Sequence, residues 1–143
     1  MKPKILFLCT GNSCRSQMAE GFAKALLSDR YDCFSAGIEK HGMNPFAVRV
    51  MSEVGIDLSA HHSKTLDELS SQLFDRVITV CDSAKETCPV LPGARVLHMG
   101  FQDPPSITRG WTDEKATLEV YRRVRDEIRK GIVGLPAFLG DGA

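Results

Sequence analysis

The chain has 143 residues, 43% of them hydrophobic, which is the size of one compact domain able to bury a core without disulfide staples, so residues 1–143 are expected to form a single domain. Eighteen basic residues balance eighteen acidic ones, so the overall charge offers no nucleic-acid footprint and no membrane-surface patch; any charged ligand must be held locally. The first ten residues carry two lysines and a short apolar run, too brief for a signal-peptide core or a membrane span, and a cytoplasmic location is expected.

Five cysteines, odd in number, argue against a structural disulfide framework and leave free thiols, metal ligation or redox chemistry. Zinc sites pair their ligands closely, whereas Cys9 and Cys14 are five apart, Cys81 and Cys88 seven apart, Cys33 stands alone, and His61 and His62 are adjacent. No bound metal is expected.

In chain order, residues 4–8 read as a buried strand that ends at Thr10, Gly11, Asn12 and Ser13. Residues 17–27 carry Met18, Phe22 and Leu26 at helical spacing, and residues 31–36 suit a second strand. Asn44, Pro45 and Gly55 bracket a second helix with an N-cap, a first-position proline and a closing glycine. Thr65 and Glu68 form a capping box ahead of Leu66, Leu69 and Leu73. Residues 76–80 and 94–99 are further strands, and Thr112 opens a long helix with Leu118, Tyr121, Val124, Ile128 and Ile132 on one face. Strands separated by helices imply parallel pairing through right-handed crossovers, giving an α/β fold with a four-stranded parallel sheet flanked by helices on both faces. Ligands of such sheets bind at the carboxyl ends of strands, so the loops beginning near Cys9, Cys81 and Gly100 should share one rim.

The segment Cys9, Thr10, Gly11, Asn12, Ser13, Cys14, Arg15, Ser16 joins the first strand to the first helix. A loop running into a helix N-terminus presents backbone N–H groups, Gly11 permits a tight turn, and Arg15 can clamp two oxygens of a tetrahedral oxyanion. The same field favours a thiolate at Cys9, to which Ser16 can donate, so the loop would both bind an anion and attack it. The competing reading of Cys9 is a buried strand-end residue, which leaves Arg15 without a purpose in apolar surroundings. Cys14 and Cys33 suit packing.

Residues 9–16 resemble the phosphate-binding loop of the low-molecular-weight protein tyrosine phosphatases and of the thioredoxin-coupled arsenate reductases related to them. In that family a late aspartate followed by proline serves as general acid, and Asp103-Pro104 matches it; read alone, Asp103 is first of all a solvated turn residue before a proline. The pair Cys81 and Cys88, directly after the third strand, matches the arsenate reductases, and the similarity extends over nearly the whole chain. Pro105 stands where the phosphatases often place an aromatic residue that flanks a phenolic substrate.

The resemblance implies arsenate reduction for arsenic detoxification, with Cys9 as nucleophile, Arg15 and the loop backbone as oxyanion holders, Asp103 as acid, a Cys9–Cys81 disulfide as intermediate and a Cys81–Cys88 disulfide as end product. It further implies no bound cofactor, thioredoxin as partner and source of reducing equivalents, and weak phosphatase side activity; a loop that reads a tetrahedral oxyanion by shape and charge should also take phosphate or sulfate as competitors, and a monomer is expected although the sequence does not give the oligomeric state. A glutaredoxin-type donor stays open, as do two alternatives: a tyrosine phosphatase in which water resolves the Cys9 adduct, and a thiol sensor or metal-binding module. If residues 81–88 begin as a helix, the two cysteine Cα atoms stand roughly 10 Å apart, beyond the ~7 Å a disulfide tolerates, so oxidation should unwind the segment. Glu20 and Asn12 lie near enough to the loop to suggest a cation, but Lys24 or Lys64 can fill that place, so no ion is expected.

Overall fold

Residues Ile5, Leu6, Phe7 and Leu8 are all fully buried, and an apolar run with no alternation belongs in the middle of a sheet covered on both faces. In this computed structural model, which describes residues 2–69, 73–82 and 95–141, that run is strand β1 (Lys4–Cys9). It pairs in parallel with β2 (Asp32–Gly37) on one side and β3 (Arg76–Thr79) on the other, and β3 pairs with β4 (Val96–His98). The four strands lie in the order β2-β1-β3-β4. The chain therefore leaves β1 for a neighbour on one side and returns to a neighbour on the other, which opens a crevice at the carboxyl end of β1, where Cys9 sits.

On one face Ile5, Phe7 and Ile78 pack against Met18 and Phe22 of helix α1 (Arg15–Leu27) and against the apolar side of a long helix, α4 (Glu114–Val133). The expected stripe of Leu118, Tyr121, Val124, Ile128 and Ile132 is buried. On the other face Leu6, Leu8, Ala36 and Val77 are covered by Phe34, Phe74 and the leucines of a 3-10 turn, Leu66–Leu69. Helix α2 (Pro45–Glu53) begins as expected: Asn44 accepts hydrogen bonds from the N–H groups of Phe46 and Ala47, and the chain leaves through Gly55 at φ +82°. Two one-turn helices complete the described residues, α3 (Pro104–Ile107) and α5 (Leu135–Phe138).

Several boundaries differ from the sequence expectation. Helix α1 starts two residues earlier, at Arg15, and Leu26 is 42% exposed whereas Leu27 is 8% exposed. Each four-residue step advances about 40° round a helix, so Leu26 has drifted off the line set by Met18 and Phe22. Thr65 is bridged to Gly37 at the sheet edge and the Glu68 carboxylate accepts from its N–H (2.8 Å), but only a 3-10 turn follows, and Leu73 is 89% exposed. The N-cap of α4 is Asp113 rather than Thr112.

Candidate active site

The loop between β1 and α1 turns on Asn12, the one described non-glycine residue with positive φ (49°). Asn12 is fully buried, and its amide is held at both ends: Nδ2 donates to the Ser16 and Ser35 hydroxyls at 2.9 Å each, and Oδ1 accepts from Gln17 Nε2 (2.8 Å) and the Lys64 N–H (2.9 Å). The loop carbonyls are engaged from outside. Thr10 O accepts from the N–H groups of Ile38 and Glu39, Gly11 O from the His41 N–H and the Ser63 hydroxyl, and Ser13 O from the Asn44 N–H. The N–H groups of the turn and of the first turn of α1 are then the ones available to an anion. Gly37 makes this fit possible, since a Cβ there would stand 2.6 Å from Thr10 O and 2.8 Å from Asn12 N.

Cys9 ends β1 with its sulfur 3.0 Å from the Ser16 hydroxyl. Arg15, 4% exposed, donates from Nη1 to Phe101 O (3.1 Å) and places Nη2 3.4 Å from Asp103 Oδ1. Asp103 stands at the start of α3, where Pro104 takes the first helical position and Ser106 donates to Oδ2 (2.7 Å). These groups meet in a cavity of about 500 Å³. Its floor is Cys9, Thr10, Gly11, Ser13, Cys14 and Arg15; His41 walls it from the loop after β2, and Asp103, Pro105 and Arg109 from the segment around α3. No aromatic side chain among the described residues lines it other than the His41 imidazole. Asn12 and Ser16 lie beneath it, buried, as supports of the loop.

Burial, with Asp103 and Cys9 adding and Arg15 opposing, pushes the Cys14 thiol well up. Burial, helped by Glu20, pushes Cys33 to about 12. Both stay protonated near neutral pH and pack in the core. Burial alone would also raise Glu20, but hydrogen bonds from Lys24 and Ser35 and the charges of Lys64 and Lys24 outweigh it and hold the carboxyl below its ordinary value. The ammonium of Lys24 lies 2.5 Å from that carboxylate and that of Lys64 3.5 Å, so two lysines balance its charge beside the loop. Among the described residues no cluster of three or more His, Cys, Asp or Glu side chains is placed to hold a metal ion, and no helix is long and apolar enough to cross a membrane.

The carboxyl ends of β1, β3 and β4 are joined in register. Val80 N–H donates to Leu8 O (3.1 Å) and Phe101 N–H to Val80 O (3.2 Å), so Cys9, Cys81 and Asp103 follow on one rim. Cys81 is fully buried and disulfide-bonded, while Cys9, Cys14 and Cys33 are free. Cys88 and the expected unwinding of residues 82–92 fall in residues 83–94, outside the described residues save for Asp82. Ser35, Ser63, His41 and Arg109 carry no signal in the sequence; they lie far along the chain from residues 9–16, in no motif with them, and only the folded arrangement brings them to the loop and its cavity.

The sequence profile of the low molecular weight phosphotyrosine protein phosphatases matches residues 4–140, and the chain belongs to that family. Within it, the chain is 52% identical over 132 residues to an arsenate reductase of Halalkalibacterium halodurans (92% of this chain, 93% of that one). It is 47% identical over 132 residues to arsenate reductase 1 of Staphylococcus epidermidis, with the same coverage. Among solved structures it is similar to an arsenate reductase in the phosphate binding state (TM-score 0.71, 33% identity, 96% of this chain and 98% of that one). A low molecular weight protein tyrosine phosphatase from T. tengcongensis superposes equally well (TM-score 0.71, 26% identity, 96% and 99%). The thioredoxin-dependent arsenate reductase of Corynebacterium glutamicum is more distant (TM-score 0.59, 25% identity, 92% of this chain and 62% of that one).

Proposed function

We propose that this protein reduces arsenate to arsenite in the cytoplasm, through Cys9, Cys81 and Cys88, with thioredoxin restoring the thiols and with residues 1–143 acting as one catalytic domain. The observation that carries this reading is the pairing of a cavity over Cys9, Arg15 and Asp103 with a disulfide-bonded Cys81 on the same rim. The identity to arsenate reductases over most of the chain supports it.

Arsenate enters the cavity and is held by the loop N–H groups of residues 10–16 and by Arg15. The Cys9 thiolate attacks arsenic, and Asp103 gives a proton to the departing oxygen, which leaves as water. The Cys81 thiolate then attacks the Cys9 sulfur; the electron pair of the sulfur–arsenic bond goes to arsenic, which departs as arsenite, and a Cys9–Cys81 disulfide remains. The Cys88 thiolate attacks Cys81, freeing Cys9 and leaving a Cys81–Cys88 disulfide. A free Cys9 beside a disulfide-bonded Cys81 is the thiol pattern of this last state. Two electrons pass to arsenic and two thiols become one disulfide, which the dithiol of thioredoxin reduces.

The same loop and acid suffice for slow hydrolysis of a small aryl phosphate, in which water resolves the Cys9 adduct. With no Phe, Tyr or Trp among the described lining residues, a phenolic ring lacks a broad stacking partner, which places hydrolysis second. The test is arsenate-dependent NADPH oxidation coupled through thioredoxin and its reductase. Turnover that needs every component supports the reading, and arsenate-independent activity or none removes it.

A further inference from the structure

Three basic side chains reach the cavity over Cys9, and they are not equivalent. Arg15 faces Asp103 at 3.4 Å, and His41 Nε2 lies 2.7 Å from the Glu39 carboxylate, so each has an acid beside it. Arg109 does not: among the described residues no ion pair or hydrogen bond engages its guanidinium, which stands exposed at the lip. Its position is set by α3. Thr108 N–H closes that single turn onto Pro104 O (3.0 Å), and Gly110 at φ +81° swings the chain away, leaving Asp103, Pro105 and Arg109 on the cavity side. Other surface arginines, such as Arg49 on Glu114 and Arg122 on Glu53, are spent on carboxylates, whereas Arg109 keeps its charge and does so at the cavity mouth. An uncompensated guanidinium at the mouth of an anion cavity adds positive potential where the ligand enters.

We propose that Arg109 is a specificity-determining residue that captures the incoming oxyanion at the mouth and selects doubly over singly charged tetrahedral anions. This rests on the reading of residues 9–16 as the anion site. Attraction to a fixed charge scales with ligand charge, so Arg109 contributes about twice the free energy to a dianion as to a monoanion of the same shape. The contribution should also weaken as salt screens the exposed group.

The test uses the reduced full-length chain, iodoacetamide as a neutral probe of Cys9, and peptide mapping to follow that residue alone. For each variant the concentrations of sulfate (a dianion) and methyl sulfate (a monoanion) that halve its own unprotected rate are measured. Arg109→Gln should raise the value about tenfold for sulfate and about threefold for methyl sulfate, and Arg109→Lys should recover most of the sulfate effect. Arg129→Gln, an exposed arginine on α4, should change neither. Equal shifts for the two anions, or no shift in a variant whose wild-type parent is protected, would overturn the assignment of Arg109 alone. A wild type that no anion protects removes the anion site, and this inference with it.

Discussion

The Ser16 hydroxyl stands 3.0 Å from the sulfur of Cys9 and accepts a hydrogen bond from Asn12 Nδ2 at 2.9 Å. With Asn12 as its donor, Ser16 has its own proton free for the sulfur, so the loop is built to solvate a thiolate. Ser16→Ala should slow alkylation of Cys9 at fixed neutral pH about tenfold, the worth of one hydrogen bond to a charged group, with little change in thermal midpoint. An unchanged rate would show that the contact does not act on the thiolate.

Asn12 combines a left-handed backbone with four side-chain hydrogen bonds, and so ties the loop to α1, β2 and the segment at Lys64 at once. Asn12→Ala should lose about 2–4 kcal/mol in urea unfolding and should abolish anion protection of Cys9. Asn12→Gly relieves the backbone but restores no hydrogen bond, so it should recover about 1 kcal/mol and no protection. If the glycine variant binds sulfate normally, the side-chain bonds are dispensable.

The division of labour among the cysteines is separable by substrate. Cys81→Ser and Cys88→Ser should each stop multiple-turnover arsenate reduction while keeping weak hydrolysis of an aryl phosphate, and Cys9→Ser should lose both. A Cys88→Ser enzyme that cycles with thioredoxin at the wild-type rate would contradict the relay.

Among the carboxylates held below their ordinary values, Asp141 and Glu53 are shifted far enough to shape the acid limb of stability. Hydrogen bonds from Arg76 and Tyr31 hold Asp141 at about 2 against an ordinary 3.8, and the Arg122 hydrogen bond chiefly holds Glu53 at about 2 against 4.5. Both values are depressed in the folded chain, so the stabilisation is complete above the ordinary values and is lost as pH falls from about 4.5 toward 2. Both groups lie near the surface, so each effect is modest and screened by salt. The double variant Asp141→Asn, Glu53→Gln should be less stable at pH 7 and should show a flatter decline in unfolding midpoint below about pH 4.5 than wild type, read by denaturant melts at several pH values.

What the sequence made legible was local. The unbroken apolar run in β1, the stripe on α4, the Asn44-Pro45 start of α2 and the span from Cys9 to Ser16 each carry their signal within a few consecutive turns or residues. What it did not show was which distant residues finish the site. Ser35 reaches Asn12 because Cys9 lies opposite Gly37 in the strand register, and Lys64 reaches it through a loop bridged to that same glycine. No pattern along the chain encodes such pairings. Helix α3 was hidden for a different reason: aspartate before proline marks a general acid, a turn and a helix start alike, and Asp103 stands at a helix start while also facing Arg15.

A single turnover separates the relay from its rivals: fully reduced protein is mixed with arsenate and no external reductant. By this relay, one arsenite should be released per chain, with a Cys81–Cys88 disulfide in the peptide map and a Cys9 that can still be alkylated. Arsenite release without that disulfide, or a product disulfide that retains Cys9, would contradict it.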